Sequence, residues 1–94
     1  MGVAHCTREL GTIARLERNL TAAQSYLSQA LSGFGSIGAR LGCANTYTEI
    51  AAVYQIQGET GTADNYYAQA IAIYKELRDE EGLRVLRSMQ SGQV

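Results

Sequence analysis

Proline and tryptophan are absent from this 94-residue chain, histidine occurs once and cysteine twice. Without proline no ring interrupts a helix, and each turn must be made by glycine or by a short polar side chain that caps the next helix. The lone histidine and the isolated Cys6 and Cys43 lack any paired-ligand spacing, which argues against a protein-only zinc site; no metal or other cofactor is expected. No apolar run nears the roughly 18 residues of a membrane span, and no basic region followed by a long apolar stretch opens the chain. Eight basic against nine acidic residues leave a formal charge of −1, so no global field draws the chain to nucleic acid or an anionic membrane. At 46% hydrophobic and 18% charged it is too apolar for disorder. These features predict one domain over residues 1–94, in the cytoplasm, with reduced cysteines acting as small apolar residues.

What the chain does contain is an internal repeat. Ala23, Tyr26, Gln29 and Ala30 recur forty residues on as Ala63, Tyr66, Gln69 and Ala70, and the same offset pairs Gly2 with Gly42, Ala4 with Ala44 and Glu9 with Glu49. Apolar character persists at Leu10/Ile50, Ile13/Val53, Leu16/Ile56, Leu31/Ile71, Phe34/Tyr74 and Ile37/Leu77. A period of this length marks a stacked array of helical hairpins, in which no unit buries its apolar face alone. The predicted units are residues 1–40 and 41–80, followed by a partial third unit at 81–90.

Apolar spacing predicts helices over about 3–18, 20–35, 40–57 and 61–78, with no strand alternation anywhere. Asn19 can take a left-handed turn conformation or cap the second helix; Thr21 with Gln24 has the form of a capping box. The glycine-rich stretch from Gly33 to Gly38 closes that helix, and Gly58 to Gly61 separates the next pair. Asp79 can cap a fifth helix whose Leu83, Leu86 and Met89 form a seam against the fourth. The tail from Ser91 should fray.

The second unit resembles the tetratricopeptide repeat family. Counting Ala44 as the first position of that pattern, Tyr47, Ile50, Ala51 and Tyr54 fall at the large, leucine, small and tyrosine places. Gly58 stands at the turn glycine, Ala63 at the second-helix alanine, Tyr67 at the second aromatic and Ala70 at the closing alanine. In the first unit Leu10, Gly11, Ala23 and Ala30 match, while Thr7, Ala14, Arg18 and Leu27 depart from the pattern. Gly33, where the second unit has Ile73, costs about 1 kcal/mol of helix stability and leaves a notch that an aromatic neighbour can fill. The forty-residue period is similar to the extended form in kinesin light chains and bacterial regulatory arrays. The resemblance implies an all-α, tetratricopeptide-like helical-hairpin solenoid of two repeats plus a C-terminal capping helix.

His5, Arg8, Thr12 and Arg15 lie at i, i+3, i+7 and i+10, on one polar face of the first helix opposite Leu10 and Ala14. Their repeat mates are Asn45, Thr48, Ala52 and Gln55. The resemblance implies that the first helix of each unit lines a concave groove for a peptide or partner helix, which makes these eight residues the candidate partner-binding set. The competing reading is a merely solvated helix face. Glu9 and Glu49 should face alike, to be bridged by a basic peptide or paired with a nearby arginine. Family members that grip a terminal carboxylate carry lysine, asparagine and arginine at set places; here Arg8 is basic at one of them, but Thr12, Glu49 and Val85 stand at the others, and that ligand is not expected.

Most of the six tyrosines should pack in the core, with Tyr66 and Tyr74 exposed. Gly33, Gly35 and Gly38 lack the lysine and hydroxyl of a phosphate loop. His5 beside Cys6 projects about 100° away and has no third group to orient it, so no catalytic residue is assigned. The expected function is a non-enzymatic module that binds a protein or peptide, without nucleic acid or membrane partners. The alternatives are a structural unit that self-associates as a homodimer through the fifth helix and Val85, or a segment of a longer array.

Overall fold

The computed structural model describes residues 3–92, all of the regular structure in which is helical. The expected Gly2/Gly42 match and the last two residues of the fraying tail lie outside the described residues. In chain order the helices are α1 (Val3–Leu16), α2 (Leu20–Ser36), α3 (Arg40–Ile56), α4 (Thr60–Leu77) and α5 (Glu80–Gln90). α1 pairs with α2 and α3 with α4; α2 also packs on α3, and α5 closes against α4 and α3. The described chain is 30 × 25 × 19 Å along its principal axes.

The helices end where left-handed backbone intervenes. Gly38 and Gly58 have φ of 69° and 82°, conformations that cost glycine little. Arg18 and Arg78 adopt φ of 65° and 57° in the other two links. The left-handed residue is therefore Arg18 rather than Asn19, because Asn19 is committed to capping α2: its Oδ1 accepts from the Ala22 N–H. The Thr21/Gln24 capping box does not form, since α2 already begins at Leu20; Gln24 instead donates to Gln57 on α3's end. Asp79 caps α5 as expected, accepting from the Gly82 N–H at 2.9 Å.

Alanines set the distance between helices. Ala23, Ala30, Ala63 and Ala70 are all at most 1% exposed, so the backbones of paired helices approach closely over them. Ala14, Ala23, Leu27, Ile50 and Val53 form one core cluster; Ala44, Ala51, Ala63, Ala70, Tyr67, Tyr74 and Leu86 form the other. Tyr54 and Tyr66 pack against both, their rings stacked at 5.6 Å and 4°. Burying Leu27 or Leu86 fully contributes about 1.5–3 kcal/mol each.

Four expectations about packing are corrected here. Tyr47 and Tyr54, expected to be buried, are half-buried because they face Tyr66 at the margin. Tyr74, expected to be exposed, is 3% exposed, lying under the crossing of α3 and α5. Leu10, placed on the inner stripe of α1, is 47% exposed, since α2 meets α1 over Gly11 and Ala14. The notch at Gly33 is occupied by Ala4 rather than by an aromatic ring, 2.9 Å from where a Cβ would stand.

Glycines inside α1, α3 and α5 play one recurring part. Gly11 lies under Leu27, Gly42 under the Phe34 ring and Gly82 under the Tyr74 ring, each too close for a methyl group. Gly42→Ala gains about 0.5–1 kcal/mol of helix propensity but must displace the ring at about 1–3 kcal/mol, so urea melts should show a net loss. Gly35→Ala, with open space around it, should instead gain up to about 1 kcal/mol.

Candidate partner-binding face

α1 and α3 lie side by side behind their hairpin partners and touch each other directly. The eight predicted residues sit on these two helices, but the structure does not leave them equally free. Arg15 is only 8% exposed and its Nε donates to Glu49 Oε1 at 2.9 Å. This cross-unit pair resolves the reading of Glu49 in favour of an arginine partner, and Glu9 likewise pairs within its own helix, 3.2 Å from His5 Nε2. Thr48 is 4% exposed and bonds back to the Ala44 carbonyl at 2.9 Å; Ala52 is 7% exposed. The expected accessibility of Arg15, Thr48 and Ala52 is therefore not met: Arg15 is closed in against Glu49 of α3, and α3 is packed by α1, α2 and α5 as well as by its hairpin partner α4.

The polar side chains of α3 are engaged by tyrosines reaching across from α4. Tyr67 donates its hydroxyl to Gln55 Oε1 at 2.7 Å, and Gln55 Nε2 reaches the Gln90 carbonyl of α5 at 3.3 Å. Tyr74 donates to Asn45 Oδ1 and lies 3.5 Å from the Thr48 hydroxyl. Burial pushes the Tyr67 phenol up to about 12, against the lowering influence of Arg15. Burial also raises Tyr74, with the Thr48 hydrogen bond opposing. Both therefore remain protonated donors at neutral pH and hold Asn45 and Gln55 in fixed orientations.

On α1 the situation differs. Thr12 Oγ1 bonds to the Arg8 carbonyl at 3.2 Å. The Arg8 side chain is half-buried, and its Nε is enclosed with no hydrogen-bond partner among the described residues. An enclosed guanidinium N–H without an acceptor is a costly arrangement.

Three of the eight residues, Arg15, Ala52 and Gln55, share a pocket of about 310 Å³. The sequence reading missed its apolar side. Leu16 and Ile56 line it with Met89, and Arg18 contributes a second cation. Leu16 and Ile56 are 62% and 37% exposed, so these are apolar residues held outside the core. The available signal was their pairing at one repeat position immediately after Arg15 and Gln55, beside the polar face rather than opposite it. His5, Arg8, Thr12, Asn45 and Thr48 lie outside this pocket. A second depression at the α2–α3 and α4–α5 links, with Leu41 and Leu77 in its wall, holds none of the eight.

His5 is engaged by Glu9 and Cys6 is exposed on its own. Among the described residues no cluster of three or more histidine, cysteine or acidic side chains could hold a metal ion, and no helix is long and apolar enough to cross a membrane.

In comparison with known proteins, the family described as Tetratricopeptide repeat matches residues 3–89. No curated protein and no solved structure matches the chain significantly. The match spans all five helices, the small-residue crossings and the turn glycines described above. The chain therefore belongs to the tetratricopeptide repeat family, whose repeats generally mediate protein–protein interactions.

Proposed function

We propose that this chain is a non-enzymatic module that holds an acidic peptide or helix of a partner protein along the faces of α1 and α3. In this reading residues 1–40 and 41–80 are the two repeats, and residues 81–90 form the cap. The observation that carries it is Arg8. Arg15, Asn45, Thr48 and Gln55 each have an internal partner, whereas Arg8 has an enclosed Nε with none among the described residues. A carboxylate from the ligand pairs with the charge of that half-buried guanidinium, and the pocket beside Leu16, Ile56 and Met89 accepts an apolar side chain further along the same segment. His5 and Thr12 flank this contact on α1. The setting proposed is cytoplasmic, where the free thiols of Cys6 and Cys43 stay reduced.

The two arginines separate ligand binding from stability. Panning a randomised peptide-display library on the immobilised chain should enrich acidic sequences. Arg8→Glu should abolish that enrichment, weakening a selected peptide by about tenfold or more, with little change in melting temperature. Equal binding of a selected acidic peptide by Arg8→Glu would remove Arg8 from the site. Arg15→Glu sets a carboxylate against Glu49 in a nearly closed contact, so the chain itself should lose about 3 kcal/mol, with a fall in Tm of more than 10 °C, roughly.

A second reading, self-association as a homodimer through α5, is favoured by Val85, which is 50% exposed off the seam that Leu86 and Met89 bury. Arg84 and Arg87 flank it, so the patch is small. Sedimentation equilibrium at micromolar concentration should then show a dimer that Val85→Glu dissociates; a monomer mass with intact helicity would discard this reading.

A further inference from the structure

Two guanidinium groups line the pocket at the end of α1, and only one of them is committed to the fold. Arg15 is held by Glu49, and the remaining polar side chain of the lining, Gln55, is held between Tyr67 and the Gln90 carbonyl. Arg18 is exposed, and its guanidinium has no ion pair or hydrogen bond among the described residues. The backbone at Arg18 does not favour a side chain either. It makes the left-handed turn between α1 and α2 at φ 65°, and forty residues on Gly58 makes the same turn between α3 and α4 at φ 82°. Glycine adopts this conformation at little cost, whereas a residue with a Cβ is strained in it. The turn therefore does not require an arginine. Beside it, Leu16 and Ile56 hold apolar surface outside the core. An uncommitted cation next to open apolar surface is complementary to an apolar side chain with a carboxylate adjoining it.

We infer that, on an acidic segment seated at Arg8 as proposed above, Arg18 reads a second carboxylate and so fixes the spacing of the partner's acids. Arg15 follows Arg8 by seven residues on the same helix face, which leads the segment from Arg8 to the pocket, and Arg18 follows Arg8 by ten. At about 1.5 Å per helical residue the two cations stand roughly 15 Å apart along α1. An extended segment covers that distance in about four or five residues. The partner thus carries one acid for Arg8, a second acid about four or five residues away for Arg18, and an apolar residue adjoining the second, seated by Leu16, Ile56 and Met89. Both acids are side chains within the segment, so the site does not call for a chain end.

A random peptide-display library panned on the immobilised chain should enrich peptides with two acids at this spacing and an apolar residue beside the second. Converting that second acid of a selected peptide to its amide should weaken binding to the parent chain roughly fivefold or more and leave binding to Arg18→Gly unchanged. Arg18→Gly should weaken the unmodified peptide by the same factor, with Tm unchanged or raised because glycine suits this turn at Gly58. Arg18→Lys, which keeps the charge, should retain most of the affinity. Equal binding of the selected peptide by Arg18→Gly, or an amide effect of the same size on both chains, overturns the inference and leaves the part assigned to Arg8 standing. Selected peptides indifferent to Arg8→Glu, or no enrichment of acidic peptides, remove both.

Discussion

How near two helices can come governs this structure. Each hairpin closes over alanines that are almost wholly buried, Ala23 and Ala30 in one and Ala63 and Ala70 in the other, so ridges of one helix enter grooves of the next without large side chains between. Large residues are then placed to one side of those crossings, where Leu27, Phe34, Tyr67 and Tyr74 each lie over a helix surface of small residues. The three intrahelical glycines under Leu27, Phe34 and Tyr74 belong to the same scheme. A chain of this size cannot rely on a deep core, and close approach gives it many dispersion contacts per residue instead.

That closeness also decides which polar groups are left for a partner. Once α3 and α4 are drawn together, the tyrosines of α4 pass far enough through to reach Asn45, Thr48 and Gln55. Side chains on the face of α3 thus become part of the scaffold. α2 has Leu27 and Phe34 where α4 has Tyr67 and Tyr74, and neither side chain has a hydroxyl to bond α1 as the two tyrosines bond α3.

Much of the fold was readable because the turn chemistry is local. Gly38, Gly58, Asn19 and Asp79 act where short-range rules place them, and the matching alanines fix which helices pair. The errors came from questions that one helix cannot answer. Periodicity gives the angle of Leu10 around α1 but not which direction has a neighbour, so an apolar residue that is buried at Ile50 was assigned to the inside at Leu10 as well. Tyr74 looked peripheral because α5's cover over it is a tertiary fact. Of the candidate face, the helices and their shared orientation were legible; that Arg15 would be spent on Glu49, and that Leu16 and Ile56 would stay outside the core, depended on the distance between α1 and α3. Of the two parts open to Asn19 the cap prevails, its side chain accepting from the Ala22 N–H, and the left-handed backbone falls to Arg18.

The seam between the first hairpin and α3 has a further meaning for folding. Each helix contacts only those near it in sequence, so either hairpin can form first and order can spread from it with little loop-closure cost. In such a linear arrangement, whether the molecule melts as one unit or in two stages depends on the contact free energy between neighbouring units. That contact is carried by Ala14, Ala23 and Leu27 against Ile50 and Val53 and by the Arg15–Glu49 pair, whereas the stacked Tyr54 and Tyr66 both belong to the second hairpin. A weakening of this seam would let one half loosen while the other holds its shape.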